Sequence, residues 1–384
     1  MSATTPGKSK FGLNWEATIF LMLLLYPLFP IFESTLFGLT KRSIGDQLST
    51  VFIFVILGYG LNVVVGYTGL LHLGIAAFFG IGAYTAAILT TQVYTFGWSF
   101  WVALPAGAVV AALFGYLLGA PTLRLRGDYL ALVTLGFGEV TKYALLNLEA
   151  VTAGSRGLSP VPPPVIPGLP EAAWTDAYHP YYYLTLGLLI AVALLLRNLE
   201  RSRLGRAWVA LREDELAANC MGLNPGKLKL AAFALGAGIA GLAGVLYATR
   251  LTSSANPNAY DFNRSIFMIC CLILGGLGNR LGVLLGVMVL VGFDTIVTPV
   301  VDGYIQNSFP DAGGKLYYSF TGWRLAIFGL ALILMMRFRP EGLVPSLRTR
   351  HELHPDELVN DPIQPITLAN NSLEVAQVQP GGKS

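Results

Sequence analysis

Few residues of this sequence could take part in acid–base or ligand chemistry, and those that could lie within apolar runs. Glu139 and Lys142 are three residues apart in the run 128–148, so on a helix they share one face and can form an ion pair. His72 lies near the start of another run, and Asp294 lies inside a third with no opposite charge nearby in sequence. The pair and the histidine are interpreted either as structural groups or as contacts for a solute crossing the protein. No nucleophile–base pair and no metal-ligand spacing is present, which disfavours an enzyme or a metal site.

Glycines at short spacing form a second pattern. Gly236-Ala-Gly238-Ile-Ala-Gly241 has the GxGxxG spelling of a dinucleotide site, but no strand precedes it and an apolar helix continues through it. Small residues at helical spacing instead favour close packing between membrane helices. The predicted packing glycines are Gly115, Gly119, Gly236, Gly241, Gly278, Gly282 and Gly286. No Walker A loop occurs, so the chain is not expected to hydrolyse ATP in the P-loop manner or to bind a cofactor of its own.

The polar segment 197–229 separates two apolar runs and is rich in helix-forming residues. Within it, a charged stretch is followed by a stretch of small apolar residues, which ends at a glycine. The residues of this pattern are Arg212, Glu213, Asp214, Glu215, Ala217, Ala218 and Gly222. This composition predicts a short amphipathic helix. Such a helix could lie in a groove of a partner protein or on the surface of an anionic membrane, and composition alone leaves both open.

The composition of the chain indicates the class of protein in which these residues lie. The chain has 384 residues, of which 54% are hydrophobic and only 12% are charged, whereas ordinary globular chains carry about 25% charge. At roughly 20 residues per crossing, the sequence has apolar length for about ten spans. It predicts an all-α polytopic membrane protein. The predicted helices are 17–37, 45–66, 69–91, 99–119, 128–148, 181–197, 230–250, 265–279, 281–301 and 320–336.

The placement of Lys and Arg orients these helices. With ten spans and both termini in the cytoplasm, nearly every basic segment falls on the inner side, as the positive-inside rule prefers; the exception is Lys41/Arg42 in the first hairpin. The predicted organisation is a cytoplasmic segment 1–15, a membrane domain 16–340 with an external loop 150–180 and a cytoplasmic loop 197–229, and an acidic tail 341–384. The tail is poor in aromatic residues and is expected to be disordered.

Several stretches resemble one family of transport proteins. Glu215-Leu-Ala217-Ala218, followed by Gly222 after three residues, resembles the EAA coupling motif of ABC importer permeases. The surrounding sequence is similar to permeases of branched-chain (hydrophobic) amino-acid importers, of the LivM type. The stretches that carry the likeness are 202–222, 60–69, 76–84, 123–139, 274–278 and 338–342, and together they extend over roughly residues 50–345. Two departures lie in predicted spans: His72-Leu-Gly-Ile replaces a Ser-Leu-Gly-His or Asp-Leu-Gly-Tyr sequence, and Lys142 stands where Arg is common.

The resemblance implies an ABC importer permease fold and a set of partners. A second, LivH-type permease would complete the translocation path, two ATPase subunits would hydrolyse ATP at the cytoplasmic face, and an external binding protein would deliver the substrate. The seven residues of the polar segment would couple to the ATPases, and His72, Glu139 and Lys142 are candidates for the path. The complex would lie in the inner (plasma) membrane, in contact with lipid and without nucleic acid.

Two alternatives remain open at the level of sequence. Permeases for urea or short-chain amides look similar, so the cargo need not be a branched-chain or other small amino acid. An ion-coupled secondary transporter belongs to a different class and would need coupling-ion sites within the membrane. The long inner loop and the lack of several intramembrane carboxylates disfavour it.

Overall fold

The computed structural model describes residues 15–26, 43–94, 96–122, 128–164, 174, 178–254, 256–302, 320–338 and 342–344. Within these ranges every regular element is helical. The helices are α1 (Trp15–Leu25), α2 (Ile44–Asn62), α3 (Ile75–Thr90), α4 (Phe100–Thr122), α5 (Asp128–Asn147), α6 (Glu149–Thr152), α7 (His179–Arg201), α8 (Arg203–Glu213), α9 (Glu215–Cys220), α10 (Pro225–Leu251), α11 (Phe262–Gly275), α12 (Arg280–Gly292) and α13 (Phe320–Phe338). Turns of π-helix extend α2 through Val63–Tyr67 and α12 through Phe293–Val297, and 3₁₀ turns lie at Gly154–Arg156 and Pro257–Tyr260.

Long apolar helices confirm an all-α polytopic membrane protein. Six segments of the described chain are long and apolar enough to cross a bilayer: Gly45–Tyr67, Phe100–Thr122, Tyr129–Asn147, His179–Arg201, Pro225–Leu251 and Arg280–Asp302. Two further apolar helices, Ile75–Thr90 and Phe328–Phe338, are shorter. The count of about ten spans therefore stays a prediction. The segment 1–14, Lys41/Arg42, residues 165–173 and 175–177 of the loop 150–180 and nearly all of the tail lie outside the described residues.

The third predicted helix begins later than hydropathy suggests. The run 69–91 is apolar throughout, yet the helix starts at Ile75. Gly69 has φ +71°, a left-handed conformation that interrupts a helix. Thr134 on α5 then accepts a hydrogen bond from the backbone N–H of Leu73 at 3.0 Å. Residues 69–74 thus form a non-helical connection whose backbone bonds partly to a neighbouring helix.

α10 lies at the centre of the bundle, where glycines bring backbones together. A Cβ added to Gly236 would lie 2.8 Å from the carbonyl oxygen of Gly60 on α2, and one added to Gly241 would lie 2.7 Å from that of Gly107 on α4. A Cβ on Gly82 of α3 would lie 2.1 Å from the carbonyl oxygen of Gly241. Since no side chain fits at these crossings, α2, α3 and α4 approach α10 more closely than larger residues would allow.

The other predicted packing glycines fall into two groups. Gly115 and Gly119 of α4 also face α10, where added Cβ atoms would lie 2.7 Å from the Phe233 carbonyl oxygen and 2.8 Å from Leu230 Cδ1. Gly282 and Gly286 of α12 face α11, with added Cβ atoms 2.5 Å and 2.2 Å from carbonyl oxygens of that helix. Gly278 belongs to neither group, because it lies in the turn between α11 and α12.

Candidate coupling surface

The polar segment folds into two short helices, with a break at Asp214. Ser202 caps α8 by accepting the backbone N–H of Gly205 at 3.3 Å. Asp214 has an extended backbone (φ −153°), which ends α8. Its side chain accepts the N–H groups of Leu216 at 2.8 Å and Ala217 at 3.1 Å, so the same residue is the N-cap of α9. The charged stretch therefore sets where the second helix begins.

Gly222 ends α9 in a Schellman motif. The N–H of Leu223 donates to the carbonyl of Ala218 at 3.1 Å, and the N–H of Gly222 donates to that of Asn219 at 3.0 Å. Gly222 itself has φ +83°, and a Cβ added there would meet nothing within 4 Å. The requirement for glycine is therefore conformational rather than steric.

α9 presents an apolar, exposed surface. Leu216 is 64% exposed and Met221 83% exposed, while Ala218 between them is buried against the protein. Glu213, Asp214 and Ala217 are also exposed. A short capped helix that projects two large apolar side chains from a charged surround suits insertion into a groove of another protein. We call this set, Glu213–Gly222, the coupling surface.

Three side-chain contacts attach the two short helices to the membrane helices: one from the coupling surface itself, at Glu215, and two from α8. The fully buried Trp208 of α8 donates from Nε1 to the carbonyl of Leu228 on α10 at 2.9 Å. Lys229 Nζ lies 2.8 Å from Glu215 Oε1, and the lysine side chain is only 5% exposed. Arg212 Nη1 donates to the carbonyl of Gly66, in the π-helical turn after α2, at 2.5 Å. These contacts join α8 and α9 to α10 and to the end of α2.

A second polar cluster lies at the same end of the bundle. Arg280 Nε, at the start of α12, lies 2.8 Å from Glu200 Oε1 near the end of α7. The Tyr67 hydroxyl donates to the same carboxylate oxygen at 2.5 Å. Asn62 accepts the backbone N–H of Gly278 at 3.0 Å. These bonds join the ends of α2, α7 and α12 beside the coupling surface, and we call this end of the bundle the coupling end.

Gly278 belongs to the contact between these helix ends and does not pack one helix against another. Its φ is +81°, and an added Cβ would lie 3.2 Å from both the Gly66 carbonyl oxygen and Arg212 Nη1. The four-residue spacing of Gly278, Gly282 and Gly286 predicted the same packing role for all three. Gly278 instead lies in a turn, where it and Gly276 adopt positive φ.

Glu139 and Lys142 form an ion pair on the most exposed of the candidate spans. Lys142 Nζ lies 3.9 Å from Glu139 Oε2, and the side chains are 17% and 32% exposed, respectively. The pair lies 11 to 14 residues into α5, about 17–21 Å along its axis. Of the six candidate spans, Tyr129–Asn147 is the least buried and has the lowest mean hydropathy. A polar face at this depth is unsuited to lipid contact.

His72 is enclosed instead of exposed. Its side chain is 1% exposed and lies between the rings of Phe78 and Phe233, at centroid distances of 5.6 Å and 5.4 Å. Neither ring nitrogen has a hydrogen-bond partner within the described chain. The structure thus separates His72, which packs inside the bundle, from the partly exposed pair on α5.

Sequence reasoning did not identify Lys229, Trp208 and the Glu200–Arg280–Tyr67 cluster. Lys229 is the last residue of the polar segment 197–229, and it forms the ion pair with Glu215. The only signal in the sequence is a lysine at the fifth position of an apolar helix that starts at Pro225. Its partner is 14 residues away, across a turn that local spacing does not predict.

Comparison with known proteins places this bundle among the permeases of membrane transport systems. Residues 43–336 match the family described as "Branched-chain amino acid transport system / permease component". The LivM permease protein of Escherichia coli K12 is 39% identical over 334 residues, which cover 82% of this chain and 73% of that protein. The LivM protein of Salmonella typhimurium is 38% identical over 361 residues, with coverage of 89% and 78%.

A more distant likeness extends to a second type of permease. The high-affinity branched-chain amino acid transport system permease protein LivH of Escherichia coli K12 is 23% identical over 293 residues, which cover 73% of this chain and 91% of that protein. No solved structure matches the chain. The chain belongs to the branched-chain amino acid transport permease family, and within it is similar to the LivM-type members.

Proposed function

We propose that this chain is a permease subunit of an ATP-driven importer for branched-chain or other small amino acids. The observation that carries the proposal is the coupling surface, a capped helix with exposed Leu216 and Met221 that is joined to α10 through Glu215. The preceding helix, α8, is bonded to the end of α2 through Arg212. The family relatives are named as branched-chain amino acid transport permeases. Urea or amide transport and ion-coupled transport are not favoured by these relatives.

This chain forms part of the translocation path and carries the coupling helix α9. Separate subunits hydrolyse ATP to drive transport. Two ATPase subunits bind the cytoplasmic face and hydrolyse ATP, so no cofactor is held by this chain and it is not an enzyme. A groove in one ATPase receives Leu216 and Met221. When the ATPases close, α9 moves, and Lys229 and Arg212 carry that displacement into α10 and α2. The bundle then switches between inward- and outward-facing states.

The exposed face of α5 is proposed to meet the second, LivH-type permease and to line the path with it. An ion pair about halfway across the bilayer is costly against lipid, by roughly 2.5–3.5 kcal/mol for each charge on insertion scales. Glu139 and Lys142 avoid that cost if the face is covered by a partner or faces an aqueous path. His72, which is enclosed within the bundle, supports the wall of the path rather than touching solute in this state.

The helix directions support an arrangement with both termini in the cytoplasm. The Leu23 carbonyl on α1 accepts from the Tyr182 hydroxyl near the start of α7, at the end remote from the coupling surface, so α1 begins towards the coupling end. Val344 N–H donates to the Gly275 carbonyl at 3.0 Å, which places the chain after α13 at the coupling end. About ten spans, the external loop 150–180 and the acidic tail 341–384 complete the proposed topology.

The proposed complex lies in the inner membrane and receives its substrate from an external binding protein. The test is reconstitution of this chain with a LivH-type permease, two ATPases and the binding protein in proteoliposomes. We expect ATP-dependent accumulation of L-leucine that stops when either ATPase is omitted. Accumulation driven by an ion gradient, with this chain as the only protein, would refute the assignment.

A further inference from the structure

Three exposed arginines lie at the corner between α7 and α8. Arg201 is the last residue of α7, and Arg203 and Arg206 lie in the first turn of α8. Among the described residues, no carboxylate forms an ion pair with any of the three. The neighbouring Glu200 is already bound by Arg280, at 2.8 Å. The corner therefore presents positive charge that the described part of the chain does not neutralise.

The three guanidinium groups keep most of their hydrogen-bond donors unused. Arg206 Nη1 donates to the Arg201 carbonyl at 2.8 Å, where the end of the α7 dipole also attracts a cation. That bond uses one of the five N–H donors of Arg206. The side chains of Arg201 and Arg203 donate no hydrogen bond within the described chain. Clustered guanidinium groups with unused donors are well suited to binding a phosphate.

A stripe of exposed, mostly apolar residues leads along α7 to this corner. Its members recur at helical spacing and are Tyr183, Gly187, Ala191, Leu194, Leu195, Asn198 and Arg201. Tyr183 precedes Arg201 by 18 residues, which is about 27 Å along a helix and close to the hydrocarbon thickness of about 30 Å. Tyrosine and arginine, the residues at its two ends, are favoured at membrane interfaces. The stripe therefore has the length and composition of a lipid-facing surface, with the arginines at the level of the headgroups.

The stripe of α7 is separate from the face assigned to the second permease. α7 packs against α1 and α2, whereas α5 packs against α3 and α4. Close to the corner, Leu194 and Leu195 are 51% and 50% exposed, and lipid acyl chains are the solvent that suits two exposed leucines inside a membrane. The end of α7 thus offers positive charge directly beside an apolar surface, which is the combination that an anionic phospholipid complements.

We propose that the α7–α8 corner binds the phosphate of an anionic phospholipid, with Arg201, Arg203 and Arg206 as its ligands and an acyl chain along Leu194 and Leu195. Basic residues that directly follow a membrane helix on its cytoplasmic side, or that lie on an amphipathic helix, attract anionic lipids. The inference goes beyond the proposed function, because it does not depend on which solute the chain transports. It also gives the polar segment both roles that its composition left open: a lipid contact at the start of α8 and a partner-protein contact at α9.

The test uses a photoactivatable lipid in the assembled complex of two permeases and two ATPases. The complex is reconstituted in phosphatidylcholine nanodiscs with a trace of phosphatidylglycerol that carries a diazirine in its acyl chain, and labelled residues are identified by mass spectrometry. We expect label on α7 around Leu194 and Leu195, which unlabelled phosphatidylglycerol competes away. Phosphatidylcholine with the same diazirine should label these residues at least fivefold less. Equal labelling by the two lipids would overturn the proposal.

Variants of the three arginines assign the preference to this corner. Arg203→Gln should lower the phosphatidylglycerol labelling about fivefold, and glutamine at all three positions should lower it about 100-fold, as expected for basic residues close to an anionic lipid. Lysine at all three positions keeps the charge and should keep most of the labelling. Arg156→Gln is the matched control, since this exposed arginine lies in the 3₁₀ turn beyond the far end of α10. Unchanged labelling in the triple glutamine variant would refute the site.

An acidic surface of an ATPase is the other occupant that these charges would suit. If the arginines dock on protein, the unmodified complex shows no preference for phosphatidylglycerol and the triple glutamine variant loses its ATPases in gel filtration, which would overturn the lipid site. Loss of labelling in a variant that keeps its ATPases supports it. Should the triple glutamine variant not assemble, Arg203→Gln and the triple lysine variant still decide. Failure of the unmodified complex to accumulate L-leucine would refute only the transport function, since labelling needs neither substrate nor ATP.

Discussion

Substitution of Gly222 tests the role of the coupling helix directly, because a side chain at this position affects only the backbone conformation and meets no other atoms. At φ +83° a non-glycine residue is disfavoured by about 1–2 kcal/mol, and open space around the position excludes a steric contribution. α9 has six residues, too few for a stable isolated helix, so its caps decide its population. A loss of 1–2 kcal/mol reduces the capped population by roughly 5- to 30-fold.

The assay compares Gly222→Asn, Gly222→Ala and Gly222→Val in proteoliposomes that contain the full complex. Asn tolerates left-handed backbone better than Ala, and a β-branched Val tolerates it least. We expect the number of L-leucine molecules taken up per ATP to fall in that order, with near-normal uptake for Asn. Expression and thermal stability of the permease should change little, because α9 lies outside the membrane bundle.

Gly97 supplies the matched control. It lies in the loop between α3 and α4, has φ +51° and, like Gly222, would place an added Cβ in open space. The same three substitutions at Gly97 impose a comparable backbone strain away from the coupling surface, so the uptake per ATP should be unaffected. Normal coupling in Gly222→Val, or equal damage from the Gly97 series, would contradict the role assigned to α9.

Three further perturbations test other parts of the argument. Alanine at Glu139 or Lys142 alone should lower the thermal stability of the purified permease pair more than the double substitution, since each single change leaves one charge at membrane depth; intact stability with equal loss of uptake would instead favour direct contact with solute. Lys229→Met removes the 2.8 Å ion pair between the largely buried Lys229 and Glu215. We expect this contact to lose about 1.5–3 kcal/mol, so that ATP is hydrolysed without uptake. Unchanged coupling would contradict the role of this pair. Gly241→Ala, with an added Cβ 2.4 Å from the Ala111 Cβ, should destabilise the bundle by roughly 1–3 kcal/mol in thermal unfolding, whereas Gly238→Ala, whose Cβ meets nothing closer than 3.4 Å, is the tolerated control.

The fold class was predictable because hydropathy and the spacing of glycines are local properties. The start of α3 at Ile75 was not, since the backbone N–H of Leu73 donates to Thr134 on another helix instead of joining a helix of its own. The position of Gly278 in a turn has the same origin, because its backbone N–H donates to Asn62 of α2. Apolar character alone cannot distinguish a helix from an apolar connection.

The candidate site was predictable in part. The charged stretch and the terminal glycine at 222 predicted a short helix, and the structure has one at Glu215–Cys220 with Asp214 and Gly222 as its caps. The partner of this helix, Lys229, follows a turn whose geometry the sequence does not specify. Asp294 has no opposite charge nearby in sequence, yet in the fold it lines a cavity together with Arg264, which is 30 residues away. When charged residues are brought together only by tertiary packing, their positions in the sequence show no regular spacing.

The glycine crossings around α10 have a mechanical consequence. Where Gly82, Gly107 and Gly60 let three helices rest backbone to backbone against α10, there are no long side chains whose rotamers could absorb a displacement. α2, α3, α4 and α10 therefore pack as one rigid unit. If α9 moves as proposed, a force on Lys229 would displace α10 together with α2, α3 and α4, and the packing of the least buried candidate span, α5, would change against them.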